Sequence, residues 1–273
     1  MLIAIVVRMV AEEETNLPFH VGRAVYASVL ERLAGVDVTL AERLHNSDGP
    51  KPLTCSDLMG GRTSAEGRVL KPGESCAVRV TGLTAPVSEA LAESLLLQPP
   101  DVWRFVDRSL RVVQTICEAG VDAWSGRTTY EALAAAQLMR IERPGRQVAL
   151  DFYTPTTFKS GGMHVPVPLP NLVFGNLVDR WNAFSPIVLS SEVRRFGEEM
   201  VAISRYKLES RSVAFKEGSQ RVGGVGRVTY RALGGDRYWL GVMQMLADFA
   251  FYSGVGALTT VGFGQSRRAE RSD

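Results

Sequence analysis

A run of apolar, largely β-branched residues from Leu2 to Val10 predicts a first strand. Beyond Pro18 and Gly22 the spacing changes. Val21, Val25, Val29 and Leu33 recur every four residues, which predicts a helix with one buried stripe. Residues 39–44 continue as a short helical piece, and the polar turn His45-Asn46-Ser47-Asp48-Gly49-Pro50-Lys51 follows. Extended segments are expected around residues 52–59, 68–70 and 76–82, then a helix over 88–97 stopped by Pro99-Pro100, then a closing strand over 109–118. The first half therefore reads β-α-β-β-α-β, a ferredoxin-like plan. The second half repeats it less regularly. It offers a helix over 128–138, a strand over 147–154, a loop over 159–170 and a helix to about residue 184. A hairpin around Gly218-Ser219-Gln220, an apolar helix over 238–252 and a final strand complete it. The expected fold is α+β, two tandem ferredoxin-like (RRM-like) domains over residues 1–120 and 126–273, meeting near Glu118-Ala119-Gly120.

Composition adds little to this plan, but charge distribution adds something. The chain of 273 residues is long enough for two domains of ordinary size, and 45% hydrophobic with 22% charged residues is a globular balance. No apolar run approaches the ~20 residues that span a bilayer. The apolar start carries Arg8 and lacks a small-residue cleavage site, so it reads as a strand rather than a signal peptide. Cys55, Cys76 and Cys117 are scattered and odd in number, which suggests neither a disulfide framework nor a zinc knuckle. The expectation is a cytoplasmic protein without metal or cofactor. Residues 11–50 are acid-rich, whereas the last third gathers Arg194, Arg205, Lys207, Arg211, Lys216, Arg221, Arg227 and Arg231 among others. A basic C-terminal half suits a polyanionic partner.

Near the C-terminus stand two G-x-G units, Gly254 and Gly256, then Gly262 and Gly264, with Arg267 and Arg268 just beyond. Glycine allows close backbone approach and positive φ, and exposed amides in such a loop form an anion cradle. A dinucleotide fingerprint needs strand, glycines, helix. Here the order is helix, glycines, strand, so a nucleotide cofactor is a poor reading.

Three blocks in this order resemble the CRISPR-associated repeat-processing endoribonucleases (the Cas-six family) of the repeat-associated RNA-binding superfamily. The first runs from Leu17-Pro18-Phe19-His20 through Leu44-His45 to Lys51-Pro52-Leu53-Thr54-Cys55-Ser56. The second is Phe152-Tyr153-Thr154-Pro155, and the third is the G-x-G-x5-G-x-G segment between helix and strand. The resemblance implies an enzyme of two ferredoxin-like domains that cuts precursor CRISPR RNA within each repeat. It further implies cutting without metal, leaving a 2′,3′-cyclic phosphate and a 5′-hydroxyl. CRISPR repeat RNA is the implied partner, with effector-complex subunits or a second copy of the chain as further ones. The alternative is a non-catalytic RNA-binding subunit of a CRISPR effector complex.

Metal-free RNA cleavage needs proton transfer to and from the substrate's oxygens and a cation beside the phosphate. His45 supplies an imidazole, the side-chain type suited to proton transfer, and Lys51 an ammonium six residues on, and both match family positions. The plain alternatives are a histidine capping the 39–44 helix and an ordinary turn lysine. His20, at the start of the first helix, is the competing catalytic histidine. Family members that place a tyrosine in this helix have it where Leu30 stands, leaving Tyr26, Ser47 or His20 as partner, or a centre of two residues alone. His164 reads as a surface residue. The RNA contacts are expected from Gly254, Gly256, Gly262, Gly264, Arg267 and Arg268 on phosphate, with Lys216, Arg221 and Arg227 on base edges or a stem.

Overall fold

The computed structural model describes residues 1–105, 107–215 and 219–269, which form two compact units. One consists of Met1–Arg127 together with Thr260–Gly262; the other runs from Thr128 onward without that short segment.

In the first unit, the strands lie in the order Leu53–Cys55, Ser75–Gly82, Leu2–Val10, Arg108–Ile116 and Val102–Phe105, each antiparallel to its neighbours. Leaving aside the edge strand 102–105, this is the order 2-3-1-4 of a ferredoxin-like sheet. Alternation in the central strand turns Ile3, Ile5, Val7 and Met9 to one face, where they join Val25, Val29 and Leu33 of the Gly22–Val36 helix in a single buried cluster. The opposite face does not stay open. Arg8 pairs with Asp122 at 2.8 Å, and Arg79, 3% exposed, donates to the Trp124 carbonyl at 2.7 Å with its guanidinium 5.5 Å from that ring. Asp122 and Trp124 thus cover the back of the sheet, and the strand that begins at Gly126 pairs with Leu2–Val10. The helix expected over 88–97 is two pieces, an α-helix Ala85–Ala92 and a wider π turn Glu93–Leu97.

The second unit repeats the topology. Its strands run Val201–Ala214, Gln220–Ala232, Gln147–Thr156, Ser266–Arg268, again 2-3-1-4 in chain order. Helices Tyr130–Leu138, Pro170–Phe184, Ser191–Glu199 and Arg237–Ser253 accompany it. Tyr130, Trp181 and Phe249 pack ring against ring, with Trp181 edge-on to Tyr130 at 5.0 Å and to Phe249 at 5.2 Å. Tandem ferredoxin-like units are therefore the fold. Two features differ from the sequence expectation. The segment read as a loop from residue 159 holds a small hairpin, Phe158–Ser160 with Met163–Val165. The Ser191–Glu199 helix has no counterpart in the expected plan, although Ser190 caps it by accepting from the Glu192 amide at 3.3 Å.

Candidate functional site

The site expected at the end of the second helix is assembled by two short elements of the first unit. Asp37 ends the first helix and caps the second, accepting from the Leu40 amide at 2.9 Å, so Val38–Asn46 turns directly off Gly22–Val36. Leu40, Ala41 and Leu44 fix its buried side, which leaves His45 in the last turn exposed to solvent. The chain then folds back so that the Lys51 ammonium donates to the Leu44 carbonyl and, at 2.9 Å, to the His45 carbonyl. Tyr26 joins them from the first helix: its hydroxyl donates to the Leu44 carbonyl at 3.1 Å and accepts from Lys51 at 3.3 Å. The structure thus brings His45, Lys51 and Tyr26 to one helix end. Leu30 packs against the core instead. Burial lowers the Lys51 pKa from its ordinary value, with Asp48 pulling the other way. Burial raises the Tyr26 hydroxyl, and Cys55 adds to this. A lysine with a lowered pKa gives up a proton more readily than a free one, and its charge still faces the last carbonyls of the helix.

His20 stands in a different network. Its Nδ1 is 3.2 Å from Asp57 Oδ2 and its Nε2 2.7 Å from the Val261 carbonyl. A carboxylate on one nitrogen and a carbonyl on the other engage both sides of the ring within the fold. Asp57 also accepts from the Val21 amide at 2.8 Å and faces Arg68 at 3.4 Å. Burial pushes its carboxyl up, but the His20 hydrogen bond and charge, the Val21 amide and Arg68 outweigh this and hold it below the usual value. His20→Ala is expected to cost about 2 kcal/mol in urea denaturation, because a hydrogen bond to a buried charge is removed. A depressed carboxyl stabilises the fold above its unfolded value of about 3.9, and that contribution fades as pH falls through the lower folded value. Asp57→Asn should therefore be less stable than the wild type at pH 6, with the gap closing in the most acidic samples. A gap that widened on acidification would contradict the assignment.

The glycine-rich segment differs most from its expected role. Gly254, Gly256, Gly262 and Gly264 all have positive φ, at 63°, 86°, 95° and 69°. Yet their amides do not point outward. Gly254 donates to the Ala250 carbonyl, Gly256 to Asn176 Oδ1 at 2.7 Å, Gly262 to the Cys55 carbonyl and Gly264 to the Pro155 carbonyl, each of these three carbonyl bonds at 3.0 Å. Val255, Ala257 and Phe263 likewise donate to Gly264, Thr157 and Leu258. The four glycines stand where other atoms press close, backbone at Gly254, Gly256 and Gly264 and the His20 side chain at Gly262. A Cβ on Gly256 would run into the Thr157 carbonyl, one on Gly264 into the Val255 carbonyl, and one on Gly262 would come within 2.7 Å of the His20 ring. The expected cradle of free amides is replaced at these positions by a tightly stitched loop.

The arginines divide in the same way. Arg268 is bound to the Arg237–Ser253 helix, donating to Asp248 at 2.6 Å and to the side chain and carbonyl of Gln244. Arg227 forms a two-point pair with Asp151 at 2.6 and 2.8 Å. Arg267, on the neighbouring strand, lies 5.1 Å from the Tyr153 ring and donates to its hydroxyl at 3.0 Å. Cross-strand register places Lys207, Arg227, Asp151 and Arg267 in one row across the sheet. Arg221 lies near the hairpin end, and Lys216 lies outside the described residues. Sequence reasoning missed the Asp57, Asp151 and Asp248 carboxylates that engage His20, Arg227 and Arg268. No local pattern announces a partner that arrives from a distant part of the chain.

Two tandem 2-3-1-4 sheets, with a stitched glycine segment before the last strand, define a double ferredoxin-like protein. The family model for the CRISPR-associated endoribonuclease Cas6 matches residues 150–266. A solved Cas6 product complex is similar over 98% of this chain and 99% of its own, at 29% identity and a TM-score of 0.77. A second Cas6 product complex matches 98% of this chain and all of its own, at 26% identity and 0.78. Over nearly its whole length the chain is thus similar to solved Cas6 structures. Among curated relatives, the Cas6 of Streptococcus thermophilus is 28% identical over 149 residues, 52% of this chain and 60% of that protein. The Cas6 of Mycobacterium tuberculosis is 32% identical over 128 residues, 45% of this chain and 38% of its own length. Among the described residues, no helix is long and apolar enough to cross a membrane.

Proposed function

We propose that this protein is an endoribonuclease that cuts precursor CRISPR RNA within its repeat, using the RNA's own 2′-hydroxyl as nucleophile and no metal ion. The observation that carries this reading is the exposed His45 beside Lys51 at the end of the Val38–Asn46 helix. His45 relays protons between the attacking 2′-oxygen and the leaving 5′-oxygen, a task that suits an imidazole. Lys51 stabilises the negative charge that builds on the phosphate. Tyr26 holds the lysine in place through its hydroxyl. His20, with both ring nitrogens engaged, belongs to the scaffold in this reading. The relatives named as Cas6 endoribonucleases and the product and substrate-mimic complexes among the similar structures support it. The residues proposed to contact RNA are Arg267, Arg221 and the basic row of the second unit, with Lys216 outside the described residues. The glycines shape the loop rather than binding phosphate through their own amides.

The test is cleavage of CRISPR repeat RNA in excess EDTA, followed by analysis of the product ends. A single cut is expected, giving a 2′,3′-cyclic phosphate and a 5′-hydroxyl, and a 2′-deoxy substitution at the cut nucleotide should block it. Loss of cutting in EDTA, restored by a divalent ion, would overturn the metal-independent mechanism. Tight binding with no cut under any condition would make the protein a non-catalytic RNA-binding subunit.

A further inference from the structure

We propose that Lys159, His164 and Arg221 together hold a phosphodiester of the bound RNA beside the glycine-rich segment, which rests on the RNA-binding reading above. Lys159 and His164 are direct cross-strand partners in the small hairpin formed by Phe158–Ser160 and Met163–Val165. Side chains so paired share one face with their Cβ atoms roughly 5 Å apart, so an ammonium and an imidazole can meet a single anion. The Gln220–Ala232 strand packs closely against the residues that flank the hairpin, Thr156 before it and Pro166 after it, because glycine stands where they meet. A Cβ on Gly223 would come within 2.6 Å of the Thr156 amide, and one on Gly224 would run into the Pro166 carbonyl. Arg221 begins the same stretch of strand.

Its position is further set by aromatic neighbours. The Arg221 guanidinium lies 5.9 Å from the Phe215 ring, and Phe215 meets Phe263 edge-on at 5.8 Å. Phe263 stands between Gly262 and Gly264, so this side-chain stack connects Arg221 to the glycine-rich segment. The amides of that segment are largely turned inward, which leaves charged side chains beside it to meet phosphate. His164 also differs from His20. Its Nδ1 is enclosed yet has no hydrogen-bond partner among the described residues, so the fold does not use this imidazole as it uses the other. Burial, then Arg221, then Lys159 lower its pKa from the ordinary histidine value. A phosphate placed among the three groups reverses the effect of the two cations and draws a proton onto the ring. The cluster is therefore arranged to take an anion, and a phosphodiester is the anion an RNA supplies along its whole length.

The experiment is fluorescence anisotropy with a labelled CRISPR repeat RNA carrying a 2′-deoxy nucleotide at the cut. Wild type is compared with Lys159→Ala, His164→Gln and Arg221→Ala across a salt series, and melting temperatures are recorded for each. Each variant is expected to bind roughly fivefold to tenfold more weakly, with the salt slope reduced by about 0.7–0.9 for each phosphate no longer neutralised. Wild-type affinity should rise as pH is lowered through the histidine range, and this rise should be absent in His164→Gln. Melting temperatures of Lys159→Ala and His164→Gln should not change, since Lys159 is exposed and neither residue holds a core element. Unchanged affinity and salt slope in all three variants, with a wild type that binds tightly, would overturn this inference alone. Weaker binding at an unaltered salt slope would overturn it too, because the side chains would then not be neutralising phosphate. A wild type that fails to bind repeat RNA would overturn the proposed function along with it.

Discussion

Replacing His45 by alanine is expected to lower single-turnover cleavage of repeat RNA by about 10²–10⁴-fold while leaving RNA affinity and thermal stability unchanged. The separation follows from where the side chain sits. His45 is exposed, in the last turn of a helix whose anchoring residues are Leu40, Ala41 and Leu44. Its link to Lys51 runs through its carbonyl, which accepts from the ammonium, and alanine keeps that carbonyl. The substitution therefore removes an imidazole and little else. The same change at His20 removes the ring between Asp57 and the Val261 carbonyl, so its effect should appear first in stability. Single-turnover rates of the two variants, measured below the melting transition of each, separate the two histidines. If His20→Ala abolished cleavage while the protein remained folded and His45→Ala cut normally, the roles of the two histidines would be reversed.

Gly264→Ala is expected to have the largest effect on the fold, about 3 kcal/mol by urea denaturation. Two costs coincide at this position. The backbone has φ of 69°, a region that a residue with a Cβ enters at some cost, and the added carbon would collide with the Val255 carbonyl. That carbonyl is itself fixed, because Val255 donates its amide back to Gly264. Gly161 provides the comparison. Its φ is 57°, but a Cβ there would meet nothing within 4 Å. Gly161→Ala should therefore cost only the conformational part, about 1 kcal/mol. Equal losses at the two positions would mean that backbone conformation, not close packing, is what the glycines of the C-terminal segment provide.

The fold was legible where burial is periodic. Ile3, Ile5, Val7 and Met9 in a strand and Val21, Val25, Val29 and Leu33 in a helix follow simple spacings, and all of them are buried together. Legibility failed where stability comes from pairing instead of burial. The Val201–Ala214 strand is mostly exposed along its length and is held by its register with Gln220–Ala232, so its start at Val201 left little hydrophobic trace. The Ser191–Glu199 helix offered a capping serine and an amphipathic pattern, but Gly197 inside it reads as a breaker until its close approach to Phe174 is seen. At the candidate site, the His45–Lys51 spacing across a turn could be read directly. The role of the C-terminal glycines could not, because spacing alone does not tell a loop that offers its amides from one that needs room for neighbouring backbone. The same limit applies to His20, whose two partners stand 37 and 241 residues further along the chain.

That last separation bears on how the protein is made. Residues 1–127 carry all the strands and helices of the first unit, yet the unit also includes Thr260–Gly262. Synthesis proceeds from the N-terminus at roughly 5–20 residues per second, so those three residues follow many seconds after the rest of the unit has emerged. During that interval Gly22 faces an empty place where the Val261 carbonyl will lie, Cys55 lacks the Gly262 amide that its carbonyl will accept, and His20 lacks the Val261 carbonyl. The first unit is thus begun first and closed almost last. A nascent chain stalled before residue 260 carries a nearly complete unit whose closing segment has not yet been made.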